Sequence, residues 1–381
     1  MARGNGEGSI YPHKKNGKKV GYRAAYFVHT ADGPKRRYVS GKSREDVAAK
    51  LTKALGQRAD GLVFDAGGLT VGEYLERWLK DSVKGTVRHS TYEVHRYMIE
   101  PHLIPTLGRL KLKDLSPVHV RGLYREKLDS GLSAATVRKI HSVLRKALKQ
   151  AVMDGLIPRN VCEAVKPPKV ERKEIIPLDR EQARTLLEAA RAERGDRLEA
   201  LFTLAVHTGM REGELLGLKW DDVDLERGVL RLRRALVREG SRVTLGDLKT
   251  PKSRRQVRLT RAAVESLRAH LGRQLEEIES MGSLYQPGGL VFATEAGTLI
   301  NPSNLRNRSF KPLLKRAGLP DICFHDLRHT CATLLLSQGT HPKLVQELLG
   351  HATIAMTLDT YSYFLPSMGD QTVKAMEAAL A

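Results

Sequence analysis

Three stretches in the second half of the chain decide its fold and its chemistry: 207-HTGMREGELLGLKWDDVD-224, 324-FHDLRHT-330 and 348-LLGHATIAMTLDTYSYF-364. The sequence around them predicts a mixed α+β domain over residues 178–381. Its pattern indicates helices from Asp179, from about Arg197 and from Thr260, then further helices to the end. Short strands are expected near 229–237, 242–246 and 255–259.

Arg211 and Arg328, in the first two stretches, match what attack on a phosphodiester requires. Negative charge builds on two nonbridging oxygens, and a planar guanidinium offers paired donors while it stays charged. A lone arginine is more often a surface or salt-bridge residue, and the residue type by itself does not decide between that role and a phosphate clamp. Glu214 follows Arg211 by three residues, so on a shared helical face it would orient that guanidinium.

Histidine and tyrosine residues supply the remaining groups that such chemistry needs. His325 precedes Arg328 by three residues, so one helical turn presents both side chains to the same phosphate. Imidazole titrates near neutrality and suits acid or base catalysis, although a lone histidine is more often structural. Tyr361 follows His351 by ten residues and is a candidate nucleophile. A phenol has a pKa of about 10, so it needs a base and nearby cations to react.

The composition points to a nucleic-acid partner. The chain of 381 residues has 64 Lys+Arg against 43 Asp+Glu, a net charge of +21. Residues 1–60 contain 14 basic and 5 acidic residues, and residues 61–170 contain 19 and 11. Solubility alone would not concentrate the surplus in the first two-fifths of the chain, whereas phosphate neutralisation would.

Several protein classes are disfavoured. No run approaches the roughly 20 apolar residues of a membrane span, and MARGNGEGS lacks the apolar core of a signal peptide. Three scattered cysteines, Cys162, Cys323 and Cys331, do not form a disulfide framework. We therefore expect a soluble, cytoplasmic protein with reduced thiols and no membrane partner.

A metal site and a nucleotide site are also disfavoured. Cys323, His325, His329 and Cys331 could be mistaken for zinc ligands, but four ligands within nine residues leave little chain to close a tetrahedron. The sequence has no GxxxxGK[ST] phosphate loop and no obvious cluster of carboxylates for a metal. We expect neither a metal nor another cofactor.

Residues 1–60 predict a small three-stranded sheet backed by one helix. Turn dipeptides Asn16-Gly17 and Asp32-Gly33 separate the strands, and Ser43 begins the helix with Asp46 as its capping-box partner. In the middle strand Tyr22, Ala24, Tyr26 and Val28 share one face, and Arg23, Phe27 and His29 share the other. The basic residues proposed to contact DNA here are Lys14, Lys15, Arg23, Lys35, Arg36 and Arg37.

Residues 69–165 predict a domain of four helices. Thr70, Ser90-Thr91, Ser116-Pro117 and Ser133 mark the helix starts, and Gly131 and Gly155 mark two of the ends. In the last helix an apolar stripe runs from Val137 to Ala151. Arg138, Lys139, Arg145 and Lys146 lie off this stripe; a basic run is usually only a solvated face, but the charge surplus favours DNA contact. Residues 166–177 predict a linker.

Taken together and in order, the three stretches resemble the active-site boxes of the tyrosine recombinases over about residues 175–365. The helical domain resembles the core-binding domain of that family. The N-terminal sheet resembles the arm-binding domain that integrases of phages and integrative elements add. The resemblance implies a multidomain, mainly α protein that cuts and rejoins DNA through a 3′-phosphotyrosyl intermediate.

The resemblance also implies residue roles. Arg211, Arg328 and His351 would bind the phosphate, His325 would assist removal of the tyrosine proton, and Tyr361 would attack. Tyr363 stands where the family often has a histidine, so a second tyrosine lies two residues away. The segment LGDLKTPKSRRQVRL reads as strand, turn and strand, and Lys249 matches the family's catalytic lysine on such a hairpin better than Lys252. Lys252, Arg254 and Arg255 could instead grip backbone phosphates.

The expected partners follow from the same resemblance. They are double-stranded DNA with core and arm sites, three further copies of the chain in a tetramer, an excisionase and a DNA-bending host factor. Val373, Met376, Ala379 and Leu380 form an apolar stripe on a tail helix that would dock on a neighbouring subunit or on its own domain. A type IB topoisomerase and a non-catalytic DNA-binding protein are the alternatives.

Overall fold

The computed structural model describes residues 10–15, 18–30, 33–59, 68–171, 175–192, 197–239, 242–248, 254–361, 373 and 376–380. The chain divides into two compact units, residues 1–172 and 173–381. The division falls within the stretch that the sequence predicts as a linker. Among the described residues, no helix has both the length and the apolar character to cross a membrane.

The first unit begins with an antiparallel sheet and a helix. Strands β1 (Ile10–Lys15), β2 (Lys18–Thr30) and β3 (Gly33–Gly41) are joined in chain order, and α1 (Arg44–Ala59) follows. One face of the sheet packs on α1, where Ala24 is buried beside Val47 and Leu51. The Ser43 hydroxyl accepts the Asp46 amide at 3.0 Å, as a helix N-cap does. Asn16, Gly17 and Asp32 of the predicted turns lie outside the described residues.

From Val71 onward the described part of this unit is mainly helical. Its elements are α2 (Val71–Trp78), α3 (His89–Met98), α4 (Ile104–Leu107), α5 (Pro117–Asp129) and α6 (Ala134–Met153). Two π-helical segments, Leu79–Val83 and Ile99–Leu103, extend α2 and connect α3 to α4. The second contains Pro101, which has no amide to donate to the helical ladder. The helix predicted after Ser90 is therefore α3 and α4 joined through a π turn.

The helix caps follow the sequence with one exception. Thr70 and Ser116 form capping boxes, and the Ser133 hydroxyl accepts from the Thr136 amide. The prediction that Ser90-Thr91 precedes the next helix was wrong, because α3 begins at His89 with Arg88 as its N-cap. Serine and threonine are tolerated in a solvent-facing first turn as well as at the cap, so they mark a helix start only to within a residue or two.

The apolar stripe of α6 is buried in full: Val137, Ile140, Val143, Leu144, Ala147, Leu148 and Ala151 are each at most 4% exposed. Helix α2 packs against it, and the Tyr74 hydroxyl donates to the Ala147 carbonyl at 2.7 Å. The four basic side chains predicted to face away from the stripe, Arg138, Lys139, Arg145 and Lys146, are all exposed.

The second unit is a mixed α+β domain. Its helices are α7 (Arg180–Ala192), α8 (Glu199–Thr208), α9 (Glu212–Leu216), α10 (Arg261–Met281), α11 (Pro302–Asn304), α12 (Lys311–Arg316), α13 (Asp326–Ser337), α14 (Pro342–Leu349) and α15 (Ile354–Tyr361). Helix α8 is almost wholly buried at the centre of the core, in contact with α7, α10 and α13. Its position fixes where the loop to Arg211 begins.

The strands of this unit form two separate sheets. Strands β4 (Val223–Asp224), β5 (Val229–Leu232) and β8 (Arg255–Arg258) make one, and β6 (Arg234–Glu239) pairs with β7 (Arg242–Asp247) in the other. The predicted hairpin of β7 and β8 was therefore wrong. In β8 the buried Val257 lies opposite the buried Leu230 of β5, and this apolar pairing sets the register.

Candidate active site

Arg328 lies in the first turn of α13 and is only 2% exposed. Its guanidinium donates to the carbonyls of Gly209 and Leu349, both at 2.7 Å. These carbonyls lie at the C-terminal ends of α8 and α14, and each helix ends in a left-handed glycine, Gly209 with φ 59° and Gly350 with φ 66°. Carbonyls at helix C-termini have partial negative charge, so two helix ends stabilise one buried cation.

The electrostatic surroundings of Arg328 leave it charged. Burial, and then repulsion from Arg211, lower its pKa to about 10. At neutral pH the guanidinium therefore stays protonated. A permanent positive charge is thus held in the interior at the junction of three helices.

Arg211 is held by Glu214, but not through a shared helical face. Arg211 is the N-cap of α9 with an extended backbone, φ −70° and ψ 148°. Glu214 accepts from its backbone amide at 3.0 Å and from its guanidinium at 2.8 Å. The predicted contact is confirmed, and the predicted geometry is corrected, because the loop from α8 reaches Arg211 before the helix starts. The Arg211 side chain stays 38% exposed and also donates to the Gly350 carbonyl at 3.4 Å.

Arg255, at the start of β8, is a second partner of Glu214. Its side chain is 8% exposed, and it donates to both carboxylate oxygens of Glu214 and to the Leu348 carbonyl at 2.6 Å. The interpretation of Arg255 as a phosphate grip was therefore wrong, because all three of its guanidinium nitrogens donate to Glu214 or to the Leu348 carbonyl, and Glu214 already neutralises its charge. Arg254, its neighbour, is exposed and lies 3.6 Å from Asp247.

His351 follows the left-handed Gly350 at the end of α14. Its Nδ1 is 2.9 Å from the Thr357 hydroxyl of α15, and its carbonyl accepts from the Gln346 amide side chain at 3.0 Å. Burial, followed by Arg328 and Arg211, lowers the pKa of His351 to about 4. The imidazole is therefore neutral, and its contact with Thr357 orients the ring.

Tyr361, the last residue of α15, is 1% exposed and packs on Ala332 and Leu349. Its hydroxyl is 2.7 Å from Nδ1 of His329, and burial raises its pKa to about 12. The His329 ring meets the His325 ring edge-on, with 5.0 Å between centroids. The phenol is thus next to the helix that provides Arg328.

The structure joins most of the predicted catalytic residues. Three of them lie around the turn at Gly350: Arg211, Arg328 and His351. Glu214 holds Arg211 in place. His325 and Tyr361 each contact His329, which lies between them. Lys249 and Lys252 lie outside the described residues, as does Tyr363. Sequence reasoning gave Arg255 a different role and missed His329 as part of the site. The signal for His329 was its position four residues after His325 at the start of a helix.

The open face of the N-terminal sheet combines cations and aromatic rings. Arg23 lies over the Tyr38 ring at 4.0 Å, and Arg36 lies 6.0 Å from the Phe27 ring and 5.5 Å from that of Tyr38. Phe27 is 52% exposed and Tyr38 43%. Lys14 and Arg37 are also exposed, whereas the side chains of Lys15 and Lys35 lie outside the described part of the chain.

Comparison with known proteins finds a family for this chain. The model of the phage integrase family matches residues 177–364, and that of its N-terminal SAM-like domain matches residues 70–128. A XerC-like tyrosine recombinase of Caldanaerobacter subterraneus subsp. tengcongensis is 33% identical over 95% of this chain and 97% of that protein. The chain belongs to the phage integrase family of tyrosine recombinases. It is a site-specific recombinase that catalyses DNA cleavage and strand exchange.

Solved structures share the fold of this recombinase. The Tn1549 transposon integrase in complex with transposon right end DNA has a TM-score of 0.69 at 21% identity, over 82% of this chain and 100% of that one. The lambda integrase tetramer bound to a Holliday junction has a TM-score of 0.58 at 21% identity, over 94% of this chain and 95% of that one. The predicted fold class is confirmed. The 33% identical tyrosine recombinase, rather than these folds, sets aside the topoisomerase and non-catalytic alternatives.

Proposed function

We propose that Tyr361 is the nucleophile of this recombinase, and that Arg211, Arg328 and His351 bind the phosphate it attacks. The observation that supports this most is the convergence of these four residues, from three separate stretches of sequence, around the ends of α8 and α14. The Arg211 side chain is 38% exposed and can reach one nonbridging oxygen, and the buried Arg328 provides a fixed positive charge next to the same turn. Such preorganised donors favour the charge that develops in the transition state.

The proposed reaction consists of two transesterifications. The Tyr361 oxygen bonds to phosphorus, the bond from phosphorus to the 5′ oxygen breaks, and Lys249 protonates the departing oxygen. The 5′ hydroxyl of a partner strand then attacks the 3′-phosphotyrosyl bond and releases the tyrosine. Each bond that forms replaces one of the same kind. The energy of the broken linkage is therefore kept in the covalent intermediate, so ATP and a metal ion have no step to supply.

The DNA contacts and the assembly are also proposals. The exposed basic side chains of α6 would contact the core site together with Lys252 and Arg254, and the open sheet face would contact an arm site. We propose a tetramer on two DNA sites that integrates or excises a mobile element, assisted by an excisionase and a DNA-bending host factor. The junction-bound lambda integrase tetramer and the DNA-bound transposon integrase support this assembly by analogy. The described tail residues Val373, Met376 and Leu380 are exposed, as a surface that docks on a neighbour would be.

The decisive experiment traps the covalent intermediate. The protein is incubated in EDTA with a nicked suicide substrate of its own site, and the protein–DNA adduct is measured on a denaturing gel. We expect an adduct from the wild type and from Tyr363→Phe, and none from Tyr361→Phe. An adduct that survives Tyr361→Phe, or is lost only in Tyr363→Phe, contradicts the proposal. Recombination is then tested directly with plasmids. We expect strand exchange between two sites and no relaxation of supercoils on plasmids with a single site.

A further inference from the structure

The hydroxyl of Tyr361 has one described hydrogen-bond partner, and it is His329. The phenolic oxygen and Nδ1 of the imidazole are 2.7 Å apart, with 5.5 Å between ring centroids and 58° between ring planes. This is a normal hydrogen-bond distance for a proton shared between oxygen and nitrogen. The contact joins the end of α15 to the second turn of α13 across 32 residues.

His325, to which the family resemblance assigns removal of the tyrosine proton, is one ring further away. It is the N-cap of α13, four residues before His329, and its ring meets the His329 ring edge to face. A base must be within hydrogen-bond reach of the proton that it removes. On this criterion His329 is placed to act first, and His325 is placed to act on His329.

His329 is in the protonation state that a base requires. Burial, and then the neighbouring His325, lower its pKa to about 4, with Asp326 opposing and Arg328 adding to the shift. The ring is therefore neutral and has one nitrogen free of a proton. A phosphate anion bound at Arg211 and Arg328 would offset the effect of Arg328, which lowers the pKa of His329. We therefore expect His329 to be more basic when DNA is bound.

We infer that His329 is a further catalytic residue, which accepts the proton of Tyr361 as the phenol attacks. The inference rests on the proposed function, because it takes Tyr361 as the nucleophile. In the first step the phenolic O–H bond breaks and an N–H bond forms at Nδ1, while the new O–P bond replaces the bond to the 5′ oxygen. In the second step the proton returns to the phenolic oxygen as the tyrosine leaves, and the attacking 5′ hydroxyl gives its proton to the Lys249 amine that the first step left neutral. Oxygen, nitrogen and phosphorus keep their valences throughout.

The test asks whether a more acidic phenol at residue 361 reacts without His329 as a base. Tyr361 is replaced by ring-fluorinated tyrosine, whose pKa is lower, in the wild type and in His329→Gln. The first-order rate of adduct formation is measured at saturating suicide substrate. We expect His329→Gln with ordinary tyrosine to be slower by about 100-fold or more, the size usual for loss of a general base. Fluorination should restore most of this rate in the variant and change the wild type little.

Each alternative has a distinct result. An unchanged or increased rate of adduct formation in His329→Gln overturns the inference. It is also overturned if His329→Gln slows adduct formation equally with ordinary and with fluorinated tyrosine, because the loss would then come from altered packing. His329→Asn, with measured thermal unfolding and DNA affinity, is the second variant if glutamine disturbs the fold. His325→Gln is the matched control, and a larger fluorine rescue there than in His329→Gln would assign the proton to His325. Survival of the adduct in Tyr361→Phe would instead refute the proposed function itself.

Discussion

The guanidinium of Arg255 donates to both carboxylate oxygens of Glu214, at 3.3 Å and 3.1 Å, while Glu214 also holds the backbone and side chain of Arg211. Burial by itself would raise the pKa of Glu214, but Arg255 and then Arg211 outweigh it and keep that pKa below its usual value. The carboxylate is therefore ionised inside the protein. Arg255 thus helps to position Arg211 without access to the substrate.

Replacement of Arg255 by methionine should affect stability and cleavage together. Glu214 would lose a bidentate partner in a buried site, which we expect to cost about 1–3 kcal/mol of unfolding free energy. Adduct formation at saturating DNA should fall by roughly 10- to 100-fold, because small misplacements of a clamping group reduce rates on this scale. Urea denaturation and the suicide-substrate assay measure both. Arg254→Met, at the exposed neighbouring residue, should retain the wild-type stability; equal losses in the two variants would refute the positioning role.

Gly350 should not tolerate a side chain. It has φ 66°, and a Cβ there would lie 2.9 Å from Nη1 of Arg255. Gly350→Ala would add this clash to the cost of the left-handed backbone, which is about 1–2 kcal/mol for an L-residue. Gly339→Ala is the control, since that glycine has φ 77° with nothing within 4 Å of its added Cβ. The unfolding free energy should fall further in Gly350→Ala than in Gly339→Ala, and adduct formation should fall only in Gly350→Ala. Equal losses of unfolding free energy in the two variants would mean that Arg255 moves away from the added Cβ at no cost.

Stability should decrease in acid because two half-buried histidines of the site are neutral in the folded protein. Burial, reinforced by Arg328 for His351 and by His325 for His329, lowers both pKa values to about 4. A depressed folded pKa means that the unfolded chain binds more protons between about pH 6.5 and pH 4. The stabilisation is complete above this window and is lost as the pH falls through it. In chemical denaturation, His351→Gln and His329→Gln should each flatten the pH dependence; curves parallel to the wild type would contradict the prediction.

The open sheet face should bind DNA largely through charge. Arg36→Ala removes a cation next to Phe27 and Tyr38, and we expect weaker binding to arm-site DNA, with the slope of log K against log salt reduced by about one. Lys50→Ala is the matched control. That lysine is on α1, behind the sheet, and is paired with Asp46 at 2.8 Å. Fluorescence anisotropy over a salt series measures both, and an equal change in the two variants would place the arm contact elsewhere.

The sequence by itself determined the local features of this protein. Serine, threonine and glycine marked most helix ends, and the apolar period of α6 predicted which of its residues are buried. The order of the three active-site stretches identified the family and the pairs Arg211–Glu214 and His325–Arg328, whose members are three residues apart. Residues three apart at a helix start lie close together whether the first is helical or, like Arg211, an extended N-cap, so the sequence alone predicts such pairs.

Only the tertiary structure decided which distant groups meet. Arg255 reaches Glu214 across 41 residues and the Leu348 carbonyl across 93, and His329 reaches Tyr361 across 32. The pairing of β8 with β5 was likewise set by a shared apolar face, against the hairpin that the order of the segments suggested. Periodicity reports which face of an element is buried but not which neighbour covers it. The buried charges and the contact of the tyrosine hydroxyl therefore depended on how α8, α13 and α14 pack around one guanidinium.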